Sequence, residues 1–324
     1  QVSTMGTSGS IKYITEKPVD YQKEIDSLLL DVNMSLSTWI NSSTISNINT
    51  SRNEYTKKSI KINKQIIAGF HYEGIDALKF DTSKINFKDN SFLIDSHFYK
   101  NFNISYRIFQ ETNQAFNPAI MPLVKYWKVQ NKTEKSYKLR VDSLKIDSLV
   151  EFISIDGLNY GQLDFSAIAK GYGVDVVANF LSEKGIENYM VEIGGEVNCR
   201  GKNIKNEYWK IGIEEPNEVA RNIFEVVQIK DVAMATSGNY RNFKVLDSGQ
   251  KIVHIINPNT GYPEISNLLS ASIITDNCME ADAYATACMV MGLDTCFNFV
   301  MNQSKLECYL LYSDENGEIQ KKFS

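Results

Sequence analysis

The chain has few cysteines and none of the patterns in which cysteine holds a metal or a disulfide framework. Its five cysteines are odd in number and form no C-x-x-C pair. This spacing indicates neither a zinc site nor a set of disulfides. We therefore expect most of the cysteines to be small, buried apolar residues.

The chain also lacks long apolar runs and an excess of basic residues. No run of about 18 apolar residues occurs, and no basic segment precedes an apolar one at the N-terminus. We therefore expect neither a transmembrane segment nor an intact signal peptide. The net charge of −5 argues against a nucleic-acid-binding surface, which needs clustered Lys and Arg. Any anionic ligand would have to be held by a few local groups.

Apolar residues are plentiful enough for a substantial core. The 324 residues are 43% hydrophobic, which suits two domains or one large domain. Helices are predicted over about 20–34, 97–112 and 144–151, and a further helix with apolar residues at 174, 177, 178 and 181 is predicted to end at Gly185. Strands are predicted over 153–156, 189–193, 209–213, 270–274 and 306–312. Polar composition predicts a loop over 35–51 and a polar tail at the end of the chain.

Residues 281–292 pair a carboxylate with a hydroxyl. In a helix, Asp282 and Thr286 lie one turn apart on the same face, so both can reach the same point. Magnesium prefers oxygen ligands and usually takes only one or two carboxylates from a protein. The alternative is an alanine-rich core helix that carries Asp282 in its first turn, where the helix dipole favours a negative charge, and that ends at Gly292.

Residues 164–175 combine small residues, a lysine and two glycines just before a helix. Lys170 and the N–H groups of a helix N-terminus both favour anions, so this strand-to-helix junction suits phosphate binding. The stretch matches neither the Walker A pattern nor G-x-G-x-x-G. Gly194 and Gly195 follow a predicted strand and indicate either a close approach of the backbone to a ligand or only a tight hairpin. Residues 234–241 read as a second turn of small residues after a strand.

Three single side chains could touch a ligand, and each also has an ordinary structural explanation. Met5 offers either a soft surface for a flat ring or core filling. Trp39, in a polar loop, could stack on a ligand ring or anchor the loop in the core. His254, just before a turn, is either a structural group or the base that takes a proton from a weak nucleophile.

Eight short motifs occur in an order that resembles one known family. They are M-G-T, S-T-W, A-F-N-P, D-F-S-A-I-A-K-G-Y, I-G-G-E, A-T-S-G-N-Y, H-I-I-N-P-N-T-G and A-D-A-Y-A-T-A. Together they cover nearly the whole chain and resemble the ApbE family of FAD:protein FMN transferases. No single motif is diagnostic, but the shared order and compatible spacing make coincidence improbable.

The resemblance implies an α+β fold of mixed sheets and helices, related to the T-fold. Residues 1–324 would form a single domain with a nucleotide cleft between two intertwined subdomains. The implied reaction is magnesium-dependent transfer of FMN from FAD to a Thr or Ser hydroxyl of a target protein, through a phosphoester bond, with release of AMP. The resemblance also implies an acceptor redox protein as partner. It further implies export to the bacterial periplasm or extracytoplasmic face, often as a membrane-anchored lipoprotein.

Site residues carry over position by position. The resemblance makes Asp282, Thr286 and the main-chain carbonyl of Ala167 the metal ligands, and it makes His254 the general base, with Asp282 also catalytic. The implied FAD-binding residues are Met5, Trp39, Ala115, Phe116, Asn117, Asp164, Lys170, Gly194, Gly195, Glu196, Thr236, Ser237 and Ile255.

The same residues leave two other functions open. Water could replace the protein hydroxyl, which would make the chain a magnesium-dependent FAD pyrophosphatase that gives FMN and AMP. The chain could also bind flavin without any chemistry. In both catalytic cases, breaking the diphosphate requires charge neutralisation, for which a metal and Lys170 are suited, and an oriented nucleophile.

Overall fold

The computed structural model describes residues 1–55, 94–130, 143–155, 162–217, 222–239, 243–245 and 251–324. Position 156 of a predicted strand and positions 240 and 241 of the second predicted turn lie outside these residues. The helices of the described part are α1 (Gln22–Leu36), α2 (Thr44–Tyr55), α3 (Ser96–Glu111), α4 (Met121–Gln130), α5 (Ser143–Ile155), α6 (Ala169–Glu183), α7 (Cys278–Met291) and α8 (Leu293–Met301).

The strands of the described part form one large sheet and two small ones. They are β1 (Val2–Thr4), β2 (Thr7–Tyr13), β3 (Tyr189–Ile193), β4 (Glu196–Arg200), β5 (Trp209–Glu214), β6 (Ile223–Ile229), β7 (Ala233–Gly238), β8 (Phe243–Val245), β9 (Lys251–Val253), β10 (Leu268–Thr275), β11 (Glu307–Ser313) and β12 (Ile319–Phe323). The large sheet has the order β1-β2-β3-β4-β7-β10-β11-β12, with antiparallel neighbours throughout. Strands β5 and β6 pair separately, as do β8 and β9. The predicted α+β class is confirmed, whereas the two intertwined subdomains stay a prediction.

Alternate residues of the large sheet face two different layers, as the two-residue period of a strand requires. On β3, Tyr189 and Val191 pack with apolar residues of α1 and α6. Met190, between them, packs with Trp209 and Ile229 of the β5–β6 hairpin. The large sheet therefore has helices on one face and a small antiparallel sheet on the other.

Helix α7 lies at the centre of the core, between the large sheet and the helices α6 and α8. It is apolar almost all round, which is typical of a buried helix, and its alanines allow close packing. The Asn277 side chain accepts a hydrogen bond from the Glu280 N–H at 2.9 Å and caps the N-terminus. Because the helix begins at Cys278, Asp282 lies in the second turn, and its predicted place in the first turn is wrong.

The predicted turn over 234–241 is also wrong, because residues 233–238 form the strand β7. This strand is hydrogen-bonded on both edges, to β4 and to β10. Its small residues resemble a turn locally, but here they leave room for α7, which packs directly against the strand.

Three further predictions of local structure are corrected. Helix α2 begins at Thr44, within the predicted loop, where the Thr44 hydroxyl donates to Asp95 Oδ2 at 2.5 Å. Helix α5 continues through 153–155, where a strand was predicted, because Ile146 and Ile153 lie two turns apart and are both fully buried. The predicted polar tail contains β12, an exposed edge strand paired with β11.

The other predicted elements are confirmed to within a few residues, and so is the burial of cysteine. All five cysteines are buried free thiols. Within the described residues, no helix combines the length and the apolar character needed to span a membrane.

Candidate functional site

A cavity of about 900 Å³ collects most of the residues predicted from the sequence. Its wall comes from the α1–α2 loop, the segment before α4, the start of α6, the β3–β4 turn, β7, the segment after β9, and α7. The predicted residues in this wall are Trp39, Ala115, Phe116, Asn117, Asp164, Ala167, Lys170, Gly194, Glu196, Thr236, Ser237, His254, Ile255, Asp282 and Thr286.

Two predicted FAD-binding residues are not in the cavity wall. Met5 lies in the β1–β2 turn, where it packs against the core, and a Cβ at Gly173 would come 2.6 Å from its terminal methyl. Gly195 is the second residue of the two-residue β3–β4 turn, in which Gly194 and Gly195 have φ of 66° and 104°. Positive φ at both positions explains this glycine pair by the hairpin itself.

Asp282 is fixed by a contact between two helices. Its side chain is almost fully buried, and Oδ2 accepts a hydrogen bond from the backbone N–H of Gly171 in α6 at 3.0 Å. A Cβ at Gly171 would lie 2.2 Å from the carbonyl oxygen of Cys278 and 2.9 Å from Cβ of Asp282. Glycine is therefore required for α6 and α7 to approach closely enough to make this bond.

Asp175 makes the reciprocal contact, from α6 to the N-terminus of α7. Its carboxylate accepts hydrogen bonds from the N–H groups of Cys278 at 2.9 Å and Met279 at 2.8 Å, and from Asn198 Nδ2 at 3.0 Å. Burial raises the pKa of the Asp175 carboxyl, and these hydrogen bonds act in the opposite direction. Sequence reasoning missed this residue, because a single Asp within a helix gives no signal of a partner about a hundred positions away.

Lys170 stands between two buried carboxylates. Its Nζ lies 2.6 Å from Glu196 Oε1 and 3.5 Å from Asp282 Oδ1. Burial lowers the pKa of Lys170, but the charges of Asp282 and Glu196 outweigh this and raise the pKa above its ordinary value. Burial raises the pKa of the Glu196 carboxyl, and the positive charge of Lys170 acts in the opposite direction. Within the described residues, Glu196 Oε2 is buried without a hydrogen-bond partner.

Thr286 presents its hydroxyl one turn after Asp282, as the helical spacing predicts. Its Oγ1 lies 3.2 Å from the Ser237 hydroxyl, so α7 and β7 meet at this point of the cavity wall. The neighbouring Thr236 hydroxyl lies 2.7 Å from the hydroxyl of Ser272 on β10. The hydroxyl groups are thus held by the sheet, which limits their rotation.

These groups fit a hard divalent cation. The Asp282 carboxylate, the Thr286 hydroxyl and the carbonyl-bearing Ala167 line one cavity and supply oxygen only. Within the described residues, no group of three or more His, Cys, Asp or Glu could form an all-protein metal cage. Magnesium suits such a site, since it keeps several waters and often completes its shell with substrate phosphates.

His254 belongs to a hairpin-like segment at the cavity wall. The segment is closed by hydrogen bonds from the Asn257 N–H to Tyr262 O at 2.8 Å and from the Glu264 N–H to Ile255 O at 2.9 Å. Ile255 is buried in the core, whereas His254 is exposed. This alternation anchors the segment and leaves the imidazole accessible from the cavity.

Trp39 is a surface residue of the cavity wall and does not anchor its loop in the core. Its side chain is 78% exposed, and Nζ of Lys128 lies 3.7 Å from the ring centroid. Two other predicted residues use their side chains in local turns. Asn117 Oδ1 accepts from the Ala119 N–H at 2.8 Å, and Asp164 Oδ1 from the Ser166 N–H at 2.8 Å.

Comparison with known proteins places the chain in a family. Residues 76–310 match the ApbE family. The FAD:protein FMN transferase of Vibrio cholerae serotype O1 is 32% identical over 306 residues, which cover 89% of this chain and 80% of that protein. The FAD:protein FMN transferase of Haemophilus influenzae is 29% identical over 340 residues, 99% of this chain and 88% of the relative.

A solved structure agrees with this match over the full length of the chain. The flavin transferase ApbE from Vibrio cholerae superposes with a TM-score of 0.74 at 28% identity, covering 100% of this chain and 95% of that one. The family expected from the eight ordered motifs is thereby confirmed. The chain belongs to the ApbE family.

Proposed function

We propose that this chain is a magnesium-dependent FAD:protein FMN transferase. It moves FMN from FAD to a Thr or Ser hydroxyl of a target protein and releases AMP. The observation that carries this proposal is that Asp282, Thr286, Ala167, Lys170 and His254 line one cavity, although they come from three separate parts of the sequence. Relatives named FAD:protein FMN transferase, of similar length, support the same reaction.

The cation-binding residues would be Asp282, Thr286 and the carbonyl of Ala167. Magnesium bound there would supply positive charge that stabilises the charge developing on the diphosphate oxygens. Lys170 lines the same wall and contributes a second positive charge for those oxygens. The hydrogen bond from the Gly171 N–H orients the Asp282 carboxylate, which would hold the cation, before FAD binds.

His254 would act as the general base. It takes the proton of the acceptor hydroxyl, whose oxygen then attacks the phosphorus of the FMN half of FAD. The bond from that phosphorus to the bridging oxygen breaks, and AMP leaves with the bridging oxygen. The product is a phosphoester between FMN and the acceptor side chain.

The test is incubation of the protein with FAD, magnesium and a redox domain that carries a target Thr. Intact mass spectrometry should show an adduct of FMN mass on the acceptor, and chromatography should show one AMP per adduct. The Asp282→Asn variant, which keeps the shape of the side chain, should give neither. Release of free FMN and AMP without an adduct would instead identify a pyrophosphatase, and intact FAD in every sample would identify a flavin-binding protein.

We also propose that the protein works on the periplasmic or other extracytoplasmic face of a bacterium, exported and held by a lipid anchor, and that its acceptor is a redox protein. The proposed location and acceptor rest on the resemblance to the ApbE family, whose members are often exported and act on redox proteins. Fractionation of cells that express the native gene, followed by detection of the protein in each fraction, tests the location. Recovery from the cytoplasm alone would contradict it.

A further inference from the structure

Two negative charges and only one positive charge lie close together near the N-terminus of α6. Two carboxylates, Asp282 and Glu196, are each only 2% exposed, and one ammonium group, that of Lys170, lies between them. The nearer contact is with Glu196, at 2.6 Å, and the looser one is with Asp282, at 3.5 Å. A buried carboxylate is costly unless a positive charge compensates it, so Lys170 performs this task when no other cation is present.

Asp282, which makes the longer of the two contacts with Lys170, is also the residue proposed to bind the cation. A cation bound to Asp282 would be repelled by an ammonium group a few ångströms away. Lys170 has room to move, because its side chain is 30% exposed and borders the open cavity. Glu196 keeps Lys170 close to Asp282, since its Oε1 accepts the shorter of the two contacts.

We propose that Lys170, held by Glu196, is an internal counter-ion that competes with the divalent cation for Asp282 and thereby couples cation binding to FAD binding. The inference deepens the proposed function and rests on it. An anionic ligand draws the ammonium group toward its phosphates and leaves Asp282 to the cation. By linkage, the cation must strengthen binding of that ligand by the same factor.

The first experiment measures Mn²⁺ binding to the protein without any nucleotide, from the electron paramagnetic resonance signal of free Mn²⁺. Lys170→Met should bind Mn²⁺ at least about tenfold more tightly than the unmodified protein, because the competing charge is gone. Lys170→Arg, which keeps the charge, should bind as weakly as the unmodified protein. A dissociation constant that is unchanged or larger in Lys170→Met would overturn the proposal.

Two controls keep this result interpretable. Lys125 also lines the cavity, but its Nζ contacts the neutral Gln162 Oε1 at 2.6 Å, so Lys125→Met should change the Mn²⁺ dissociation constant less than about twofold. Asp282→Asn should abolish Mn²⁺ binding to this site and so assign the signal to it. Circular dichroism melting shows whether Lys170→Met is folded, and Lys170→Gln serves in its place if it is not.

The second experiment repeats the titration with saturating AMP. AMP should tighten Mn²⁺ binding to the unmodified protein by about fivefold or more, and this gain should be clearly smaller in Lys170→Met. An equal gain in both proteins would mean that the ammonium plays no part in the coupling. Neither titration uses FAD turnover or an acceptor, so their outcome is separate from success or failure of the transfer assay.

Discussion

His254 is the one proposed catalytic side chain that stands exposed at the cavity wall. Its neighbour Ile255 is buried and fixes the backbone, so a change of the imidazole should leave the segment folded. We expect His254→Ala to retain FAD binding while the rate of transfer falls by about 10²-fold or more, the usual effect of losing a general base. Flavin fluorescence measures the binding, and adduct formation measures the rate. Equal losses of binding and rate would make His254 a structural residue.

Replacing the Thr286 hydroxyl by a methyl group tests the proposed cation site. Thr286→Val keeps the shape of the side chain but removes the hydroxyl, and we expect magnesium affinity and transfer to fall by about 10-fold or more. Thr286→Ser keeps the hydroxyl and serves as the matched control, with activity close to that of the unmodified protein. Similar losses in both variants would point to packing against Ser237, which lies 3.2 Å away, and would contradict a ligand role.

At the scale of elements, the site depends on how α6 and α7 meet. Each helix uses one carboxylate to accept backbone hydrogen bonds from the first turn of the other: Asp175 from Cys278 and Met279, and Asp282 from Gly171. Helix N-termini carry unsatisfied N–H groups and a partial positive charge, so both contacts are favourable. Together these hydrogen bonds fix the position of Asp282 on α7 relative to Lys170 on α6.

Gly171 and Gly173 give a direct test of this arrangement, because they lie in the same helix and differ in what an added methyl would meet. Gly171→Ala would place Cβ against the backbone of Cys278, and we expect the free energy of unfolding to fall by about 1–3 kcal/mol or more. Gly173→Ala would meet the flexible end of Met5 and make an ordinary contact with Leu29, so we expect a change within about 1 kcal/mol. Urea unfolding measures both, and equal effects would show that the α6–α7 distance is not critical.

At the scale of the whole molecule, the core is built without covalent cross-links. All five cysteines are buried free thiols, and burial raises the pKa of Cys199 to about 12 and that of Cys308 to about 11. A thiol that is both buried and protonated reacts slowly. We expect a thiol reagent to modify none of the five in the native protein and all five after denaturation in guanidinium. Rapid labelling of any cysteine under native conditions would contradict this account.

The long amphipathic segments could be predicted from the sequence, whereas elements built from small or polar residues could not. Helices α1 and α3 show one apolar face at a period near 3.6 residues, and this local pattern is sufficient. The sequence of β7 resembles a turn, because its Ala, Thr, Ser and Gly residues are explained only by the helix that packs on them. The polar sequence of α2 resembles a loop for a similar reason, since this helix is stabilised by tertiary contacts such as that of Thr44 with Asp95.

The position of Asp282 relative to Thr286 follows from the sequence alone, because helical geometry fixes the positions of residues four apart. The family also follows from the sequence alone, because the order of the eight motifs can be recognised without knowing which of their residues are in contact. The folded chain is needed to see that Lys170 and Glu196 contact each other beside Asp282, and that Met5 and Gly195 lie outside the cavity wall. The reason is physical: the distance between side chains from remote segments is set by packing of helices and sheet, which no local pattern encodes.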